Sequence, residues 1–224
     1  MSLNLLIDSA NPIAWKKYSD LGILNGITTN PTLLKEARQP CKIENLIKLV
    51  NEAETLGFKE IHIQAWGNSR DELISCGKAI KNISKKNIKI FIKIPLTKTG
   101  CQAAHVLIQQ NSLVTLTACY EAKQALLASS LGAKYIAPYL GRITDKGIDG
   151  LKEILNMHQS LNSLGNESQL LIASIRNTNQ MLTLSKAGIN TYTINEYIID
   201  QLFEVESSIE ATRKFQEDAN FLRD

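Results

Sequence analysis

The run IKIFIKIP, residues 88–95, decides how this chain is read. Isoleucine stands at Ile88, Ile90, Ile92 and Ile94, while Lys89, Phe91 and Lys93 fill the alternate positions. Side chains on a strand point to opposite faces in turn. The spacing therefore predicts a strand with one wholly isoleucine face and one face that carries Phe91 and Lys93. Pro95 stops the run just after the lysine, because proline has no N–H for the next ladder bond.

Similar short runs lie on either side, at residues 5–8, 26–29, 61–65, 113–117, 135–138, 169–174 and 191–194. Between them come amphipathic stretches at 41–56, 70–83, 99–110, 120–131, 148–161 and 180–187. Leu46, Ile47 and Val50, and Leu151, Ile154 and Leu155, have the spacing of helices packed on one face. Strands that alternate with helices predict an α/β fold, a parallel sheet closed into a single (β/α)8 TIM barrel. At 224 residues the chain is shorter than the ~250 typical of that fold, so its loops must be tight. The expected division is a catalytic barrel over residues 1–204 and an extra C-terminal helix within 205–224. No repeat, linker or low-complexity segment interrupts it.

In a barrel the isoleucines would face the helices and Lys93 the lumen, near the C-terminal mouth where barrel active sites sit. The same parity turns Leu6 and Asp8 inward, then His62 and Gln64, Thr115 and Thr117, and Ala137 and Tyr139. For the seventh run it sets Leu171 and Ala173 outward and Ser174 and Arg176 inward. Asp8, Gln64, Lys93, Thr117, Tyr139 and Ser174 all fall late in their runs, so six strands would deliver a polar group to one mouth. Each residue also has a plainer reading. Lys93 could snorkel to the surface, and Asp8 could cap a helix starting near Pro12. Thr28, Thr29 and Asn30 before Pro31 could form only a turn and a cap. Tyr139 could be a half-buried aromatic, and Arg142 and Arg176 ordinary surface arginines. His62 reads as a packed lumen residue, and His105 and His158 as structural. Trp66 either walls the site or packs.

Composition narrows the function classes. A net charge of +3 is too mild to argue for nucleic acid or an acidic membrane surface, so neither partner is expected. Lys78, Lys81, Lys85 and Lys86 read as a solvated helix end. Cys41, Cys76, Cys101 and Cys119 form no CxxC pair, which leaves no signal for a metal site and suggests free thiols in a reducing compartment. No run approaches the ~20 apolar residues of a membrane helix, and a cytoplasmic location is the expectation.

LLIDSAN around Asp8, GITTNPTLL at 26–34, FIKIPLT at 91–97, APYLGR at 137–142 and ASIRN at 173–177 together resemble the transaldolase family. The likeness is to its short branch, the small transaldolases and fructose-6-phosphate aldolases, and runs in order from about Leu5 to about Phe203. TTNP combined with the KIP lysine is the specific signal. The resemblance implies a Schiff-base enzyme that cleaves or forms the C3–C4 bond of ketose phosphates, with no cofactor and no metal. It implies that Lys93 forms the Schiff base and that Asp8 assists cleavage. Thr28 and Asn30 would orient Lys93 and the substrate hydroxyls, Thr117 would help hold a catalytic water, and Arg142, Ser174 and Arg176 would bind phosphate. Gln64 and Tyr139 match the fructose-6-phosphate aldolases, where transaldolases usually carry Glu and Phe; these two residues favour the aldolase. The GR of APYLGR and the ASIRN segment look more like a transaldolase, so transfer of the dihydroxyacetone unit in the pentose phosphate pathway stays as the alternative. Thr115 and Ala137 stand where Asn and Ser are usual in transaldolases.

Two rivals remain. Other lysine aldolases on barrels, acting on deoxyribose phosphate or keto acids, usually hold the lysine on a later strand than the fourth. A phosphate-binding barrel without chemistry would not need Asp8, Lys93 and Thr117 together. The stretch 205–221 has apolar Val205, Ile209, Phe215 and Phe221 that need cover. The short branch commonly forms rings in which this helix packs on a neighbour, which implies a homo-oligomer, a decamer or pentamer. The alternative is that the helix folds back on its own barrel.

Overall fold

The computed structural model describes residues 2–165 and 167–221. Its centre is an eight-stranded sheet of β1 (Asn4–Asp8), β2 (Leu24–Thr28), β3 (Glu60–Gln64), β4 (Lys89–Pro95), β5 (Leu113–Cys119), β6 (Tyr135–Pro138), β7 (Gln169–Leu170) and β8 (Thr191–Ile194). All the pairings are parallel, and the order is β7-β6-β5-β4-β3-β2-β1-β8. The ring closes just beyond β7. There the Ile172 N–H donates to the Thr191 carbonyl at 3.0 Å, and the Ile172 carbonyl accepts from the Thr193 N–H at 2.8 Å. The α/β barrel expected from the strand pattern is the fold.

Around it run α1 (Pro12–Ser19), α2 (Pro31–Glu36), α3 (Ile43–Thr55), α4 (Arg70–Lys81), α5 (Lys98–Gln109), α6 (Gln124–Leu131), α7 (Leu140–Asp145), α8 (Gly150–Ser163), α9 (Thr178–Lys186) and α10 (Glu196–Gln201). Many of their starts are written in the sequence. Asn11, Asn30, Ser69, Thr97, Asp149, Asn177 and Asn195 each accept a first-turn backbone N–H through the side chain. Pro12 and Pro31 follow two of these caps, where the lost N–H costs nothing. The cap of α1 is thus Asn11 and not Asp8, which frees the carboxylate.

Apolar side chains sort into two compartments. Ile7, Ile61, Ile63, Ile92, Ile94, Val114, Leu116 and Ile136 pack with the helices in the larger core. Leu6, Phe91, Tyr135, Ala137 and Leu171 fill the lumen. Strand parity therefore holds for β1, β3, β4, β5 and β6. It fails on the seventh run, where Leu171 was expected to face the helices. Leu171 lies in the lumen, and Leu170 and Ile172 join the outer core. The cause is a break in the strand. Ser174 has φ 59°, in the left-handed region, and Ile175 returns to the outer core one residue later. Alternation cannot be counted through such a residue.

The sixth helix also begins later than the amphipathic stretch suggested. Gln124 Oε1 accepts from the N–H of Tyr120 at 2.7 Å and of Glu121 at 3.0 Å, and Glu153 Oε2 accepts from Ala122 N–H at 2.6 Å. These side-chain bonds hold residues 120–122 as a loop. After the barrel comes α11 (Glu206–Phe221), which buries none of its residues, so Ile209, Phe215 and Phe221 stay exposed. Among the described residues no helix is long and apolar enough to cross a membrane.

Candidate active site

Lys93 sits near the C-terminal end of β4 with only 4% of its surface exposed. It is no snorkelling surface residue. Its Nζ donates to the Thr29 carbonyl, just past β2, at 3.0 Å. Burial pushes the ammonium below its ordinary pKa of 10.5; the charge of Asp8 opposes the fall without reversing it, and Arg142 adds to it. A lysine held this way supplies a free amine more readily than one in water.

Asp8 ends β1, half-buried. Thr28, at the end of β2, donates its hydroxyl to Asp8 Oδ1 at 2.6 Å. Thr28 Oγ1 also lies 2.6 Å from Thr193 Oγ1 on β8. A hydroxyl has one proton. With that of Thr28 given to Asp8, Thr193 must donate to Thr28. The chain Thr193–Thr28–Asp8 fixes one carboxylate oxygen, and among the described residues no hydrogen bond engages the other. Asn30 caps α2 through Oδ1, accepting from Leu33 N–H at 3.0 Å, so the plainer reading of that residue holds for this atom.

Gln64 ends β3 and pairs in register with Lys93. Thr117 on β5 is buried, and its hydroxyl lies 2.8 Å from that of Tyr139, the residue after β6. Burial raises the Tyr139 pKa above 10.0, a rise eased by the Thr117 hydrogen bond and by Arg142 and reinforced by Asp8. The phenol therefore keeps its proton at neutral pH and can donate it. Next to Thr117, Ala118 has φ 58°, and the pairing with β6 shifts register between Leu116 and Cys119. Bulges of this kind re-aim side chains beside active sites.

The cations gather around α7. The Arg142 guanidinium stacks 4.8 Å from the Tyr139 ring centre, and Tyr139 meets Tyr120 edge-on at 5.6 Å. Lys146 lies 4.2 Å over the Tyr120 ring. Arg176 Nη2 pairs with Asp145 Oδ2 at 2.6 Å. Gly141 explains how Ser174 and Arg176 come so close to this helix. A Cβ there would stand 2.4 Å from Arg176 Nε and 2.5 Å from the Ser174 carbonyl. That carbonyl instead accepts from Gly141 N–H at 2.8 Å. Arg142, Lys146 and Arg176 thus lie together at this rim, with Asp145 paired to Arg176.

The structure thus gathers the predicted residues into two neighbouring groups: Asp8, Thr28, Gln64, Lys93, Thr117 and Tyr139 at the mouth, and Arg142, Ser174 and Arg176 on the rim. The sequence reading missed Thr193, Tyr120 and Lys146. Thr193 was within reach, since it alternates with outward Tyr192 and Ile194 on β8. Lys146 lies one helical turn after Arg142, a weaker cue. His105 is exposed on α5, and His158 on α8 lies 3.0 Å from the Asn162 amide nitrogen, away from the mouth. Among the described residues no group of His, Cys, Asp and Glu is arranged to hold a metal ion.

Comparison with known proteins adds a further observation. Residues 5–223 match the family model of transaldolase/fructose-6-phosphate aldolase. A probable transaldolase of Leptospira biflexa is 30% identical over 222 residues, covering 98% of this chain and 99% of that protein. A probable transaldolase of Ruegeria pomeroyi is 30% identical over 88% of this chain and 87% of its own. One from a Jannaschia species is 31% identical over 85% and 84%.

Proposed function

This chain belongs to the transaldolase/fructose-6-phosphate aldolase family, and from that premise we propose that it cleaves fructose 6-phosphate through a Schiff base on Lys93. The observation that carries the proposal is the buried Lys93 amine, with its pKa lowered, beside the hydrogen-bonded Asp8 carboxylate.

The steps follow from these groups. The Lys93 amine adds to the C2 carbonyl of the ketose, and loss of water leaves an iminium ion. Asp8 takes the C4 hydroxyl proton, the C3–C4 electron pair flows into the iminium, and an enamine remains on Lys93. The aldehyde phosphate departs; its phosphate is the group that Arg142, Ser174 and Arg176 suit. Guanidinium forks match phosphate oxygens in pairs. Asn30 and Thr28 would orient the sugar hydroxyls and the carboxylate.

The fate of the enamine divides the family's activities. Tyr139, protonated and bonded to Thr117, favours the aldolase. With Gln64 unable to take a proton, the phenol would deliver one to C3 through a water held by Thr117. A second water then adds to the iminium and gives a proton back to the Tyr139 phenolate. Collapse of the carbinolamine, whose hydroxyl proton passes to nitrogen, frees dihydroxyacetone and the Lys93 amine, and Asp8 releases its proton to solvent, balancing the one consumed when water first left. The second reading is transfer, in which enamine C3 attacks another aldehyde phosphate; it is favoured by the relatives, which carry the name probable transaldolase. Incubation of fructose 6-phosphate with and without erythrose 4-phosphate separates the two. The aldolase gives free dihydroxyacetone in both mixtures. Sedoheptulose 7-phosphate formed only with the acceptor, and no free dihydroxyacetone, would assign transfer instead. The exposed apolar positions of α11 favour packing on a neighbouring subunit; a decamer or pentamer is what the resemblance to the short branch implies.

A further inference from the structure

Below the reacting groups the lumen holds a polar set that these steps do not use. His62 on β3 is wholly buried. It pairs in register with Phe91, and the two rings stack at 4.4 Å and 9°. The Tyr135 ring closes a third side at 5.3 Å. His62 Nδ1 lies 2.9 Å from the Thr115 hydroxyl on β5, and Thr115 pairs in register with Lys93. This bond therefore runs from β3 to β5 across β4, between the inward side chains of Phe91 and Lys93.

We propose that His62 and Thr115 form a hydrogen-bonded crossbar beneath Lys93, and that His62 is a positioning residue holding the amine up at the mouth. The inference rests on the Schiff-base reading of Lys93. A lysine stem with apolar space below it could sink into the lumen; the crossbar occupies that space and leaves Nζ at the Thr29 carbonyl.

The chemistry of the pair is constrained from below. His62 Nε2 has no hydrogen-bond partner among the described residues, and the nearest carboxylate oxygen, Glu60 Oε1, is 3.8 Å away. Glu60 accepts from Asn4 Nδ2 at 3.0 Å. It finds room because Gly26 has no side chain; a Cβ there would stand 2.6 Å from Glu60 Cγ. With the imidazole proton on Nε2, toward Glu60, Nδ1 is left to accept from Thr115. The titratable groups facing the imidazole are Glu60 below, Tyr135 at the side and Lys93 above. Burial keeps it neutral against the pull of Glu60, and Lys93 adds to that effect. A neutral ring is what the crossbar needs, since an imidazolium would set a second cation under the amine. An imidazole short of one partner is an expensive way to fill an apolar lumen. A phenylalanine would pack as well, so the cost points to a role beyond packing.

The experiment is borohydride trapping of intact protein with fructose 6-phosphate across pH, with adduct on Lys93 counted by mass spectrometry. His62→Phe keeps the stack on Phe91 and removes the bond, Thr115→Val removes it from the other side, and Thr115→Ser keeps the hydroxyl. We expect each of the first two to slow trapping about tenfold and to shift its pH midpoint, because a misplaced amine loses its geometry and its dry setting. The double variant should be no slower than the worse single one, and Thr115→Ser should follow the unaltered protein. Unchanged trapping and midpoint in Thr115→Val, effects that multiply in the double variant, or equal loss in Thr115→Ser would overturn the crossbar. Failure of the unaltered protein to form any adduct would instead remove the Schiff-base reading.

Discussion

A lysine that must attack a carbonyl has to shed its proton first, and at Lys93 burial favours the neutral form. The same effect appears in stability. The folded pKa lies below the unfolded value of about 10.5, so between the two the unfolded chain binds the extra proton and stability rises with pH. At pH 7 keeping this amine in a dry setting is therefore a burden on the fold. Lys93→Met should therefore melt higher than the unaltered protein at pH 7, and the gain should shrink as pH approaches 10.5; calorimetry across pH measures it. Asp8→Asn should lower kcat for fructose 6-phosphate cleavage by about 10²–10⁴, the usual worth of a positioned base. It should leave borohydride trapping on Lys93 intact, since the Schiff base forms before the bond breaks. These two residues were legible because strand parity depends only on backbone geometry. Thr193 obeyed the same rule and needed only to be counted. Tyr120 and Lys146 were not legible, because a cation over a ring joins a loop to a helix end and leaves no period in the sequence.

Among the elements, the rim depends on how closely α7 approaches the segment after β7. Gly141→Ala would drive a methyl into the Ser174 carbonyl and the Arg176 guanidinium. We expect the KM for fructose 6-phosphate to rise about tenfold, the effect of weakening one charge-assisted phosphate contact, with Lys93 still trapped at saturating substrate. Ala118 makes the complementary case. At φ 58° any β-branched side chain is strained, so Ala118→Val should lower stability by about 2 kcal/mol, measured by urea unfolding. Ala118→Gly should change it by less than about 1 kcal/mol, as relief of strain offsets lost chain entropy. Of the helix starts, the Asn30 cap before Pro31 was legible; at α1 the cap is Asn11 and not Asp8, and α6 starts late because Gln124 and Glu153 side chains hold residues 120–122. The inward set of the seventh strand was not legible, because Ser174 breaks the alternation by a backbone conformation that serine does not advertise.

At the scale of the whole molecule, the alternation of eight short strand-like runs with amphipathic helical stretches indicated the barrel, and the isoleucine face of 88–95 then told which way Lys93 points. What covers α11 is a separate matter. A chain cut after Glu204 should keep its barrel, and light scattering should find it smaller than the full-length assembly by more than the lost mass, with ring formation abolished. An unchanged subunit number would remove α11 from the interface. All eight strands nevertheless converge on one chemical premise, a covalent bond to a single lysine at the mouth. Borohydride reduction in the presence of fructose 6-phosphate, followed by peptide mass spectrometry, tests it most directly. A reduced dihydroxyacetone adduct is expected on Lys93 and none in Lys93→Met; an adduct on another lysine, or equal labelling of the variant, would rule out a Schiff base on Lys93.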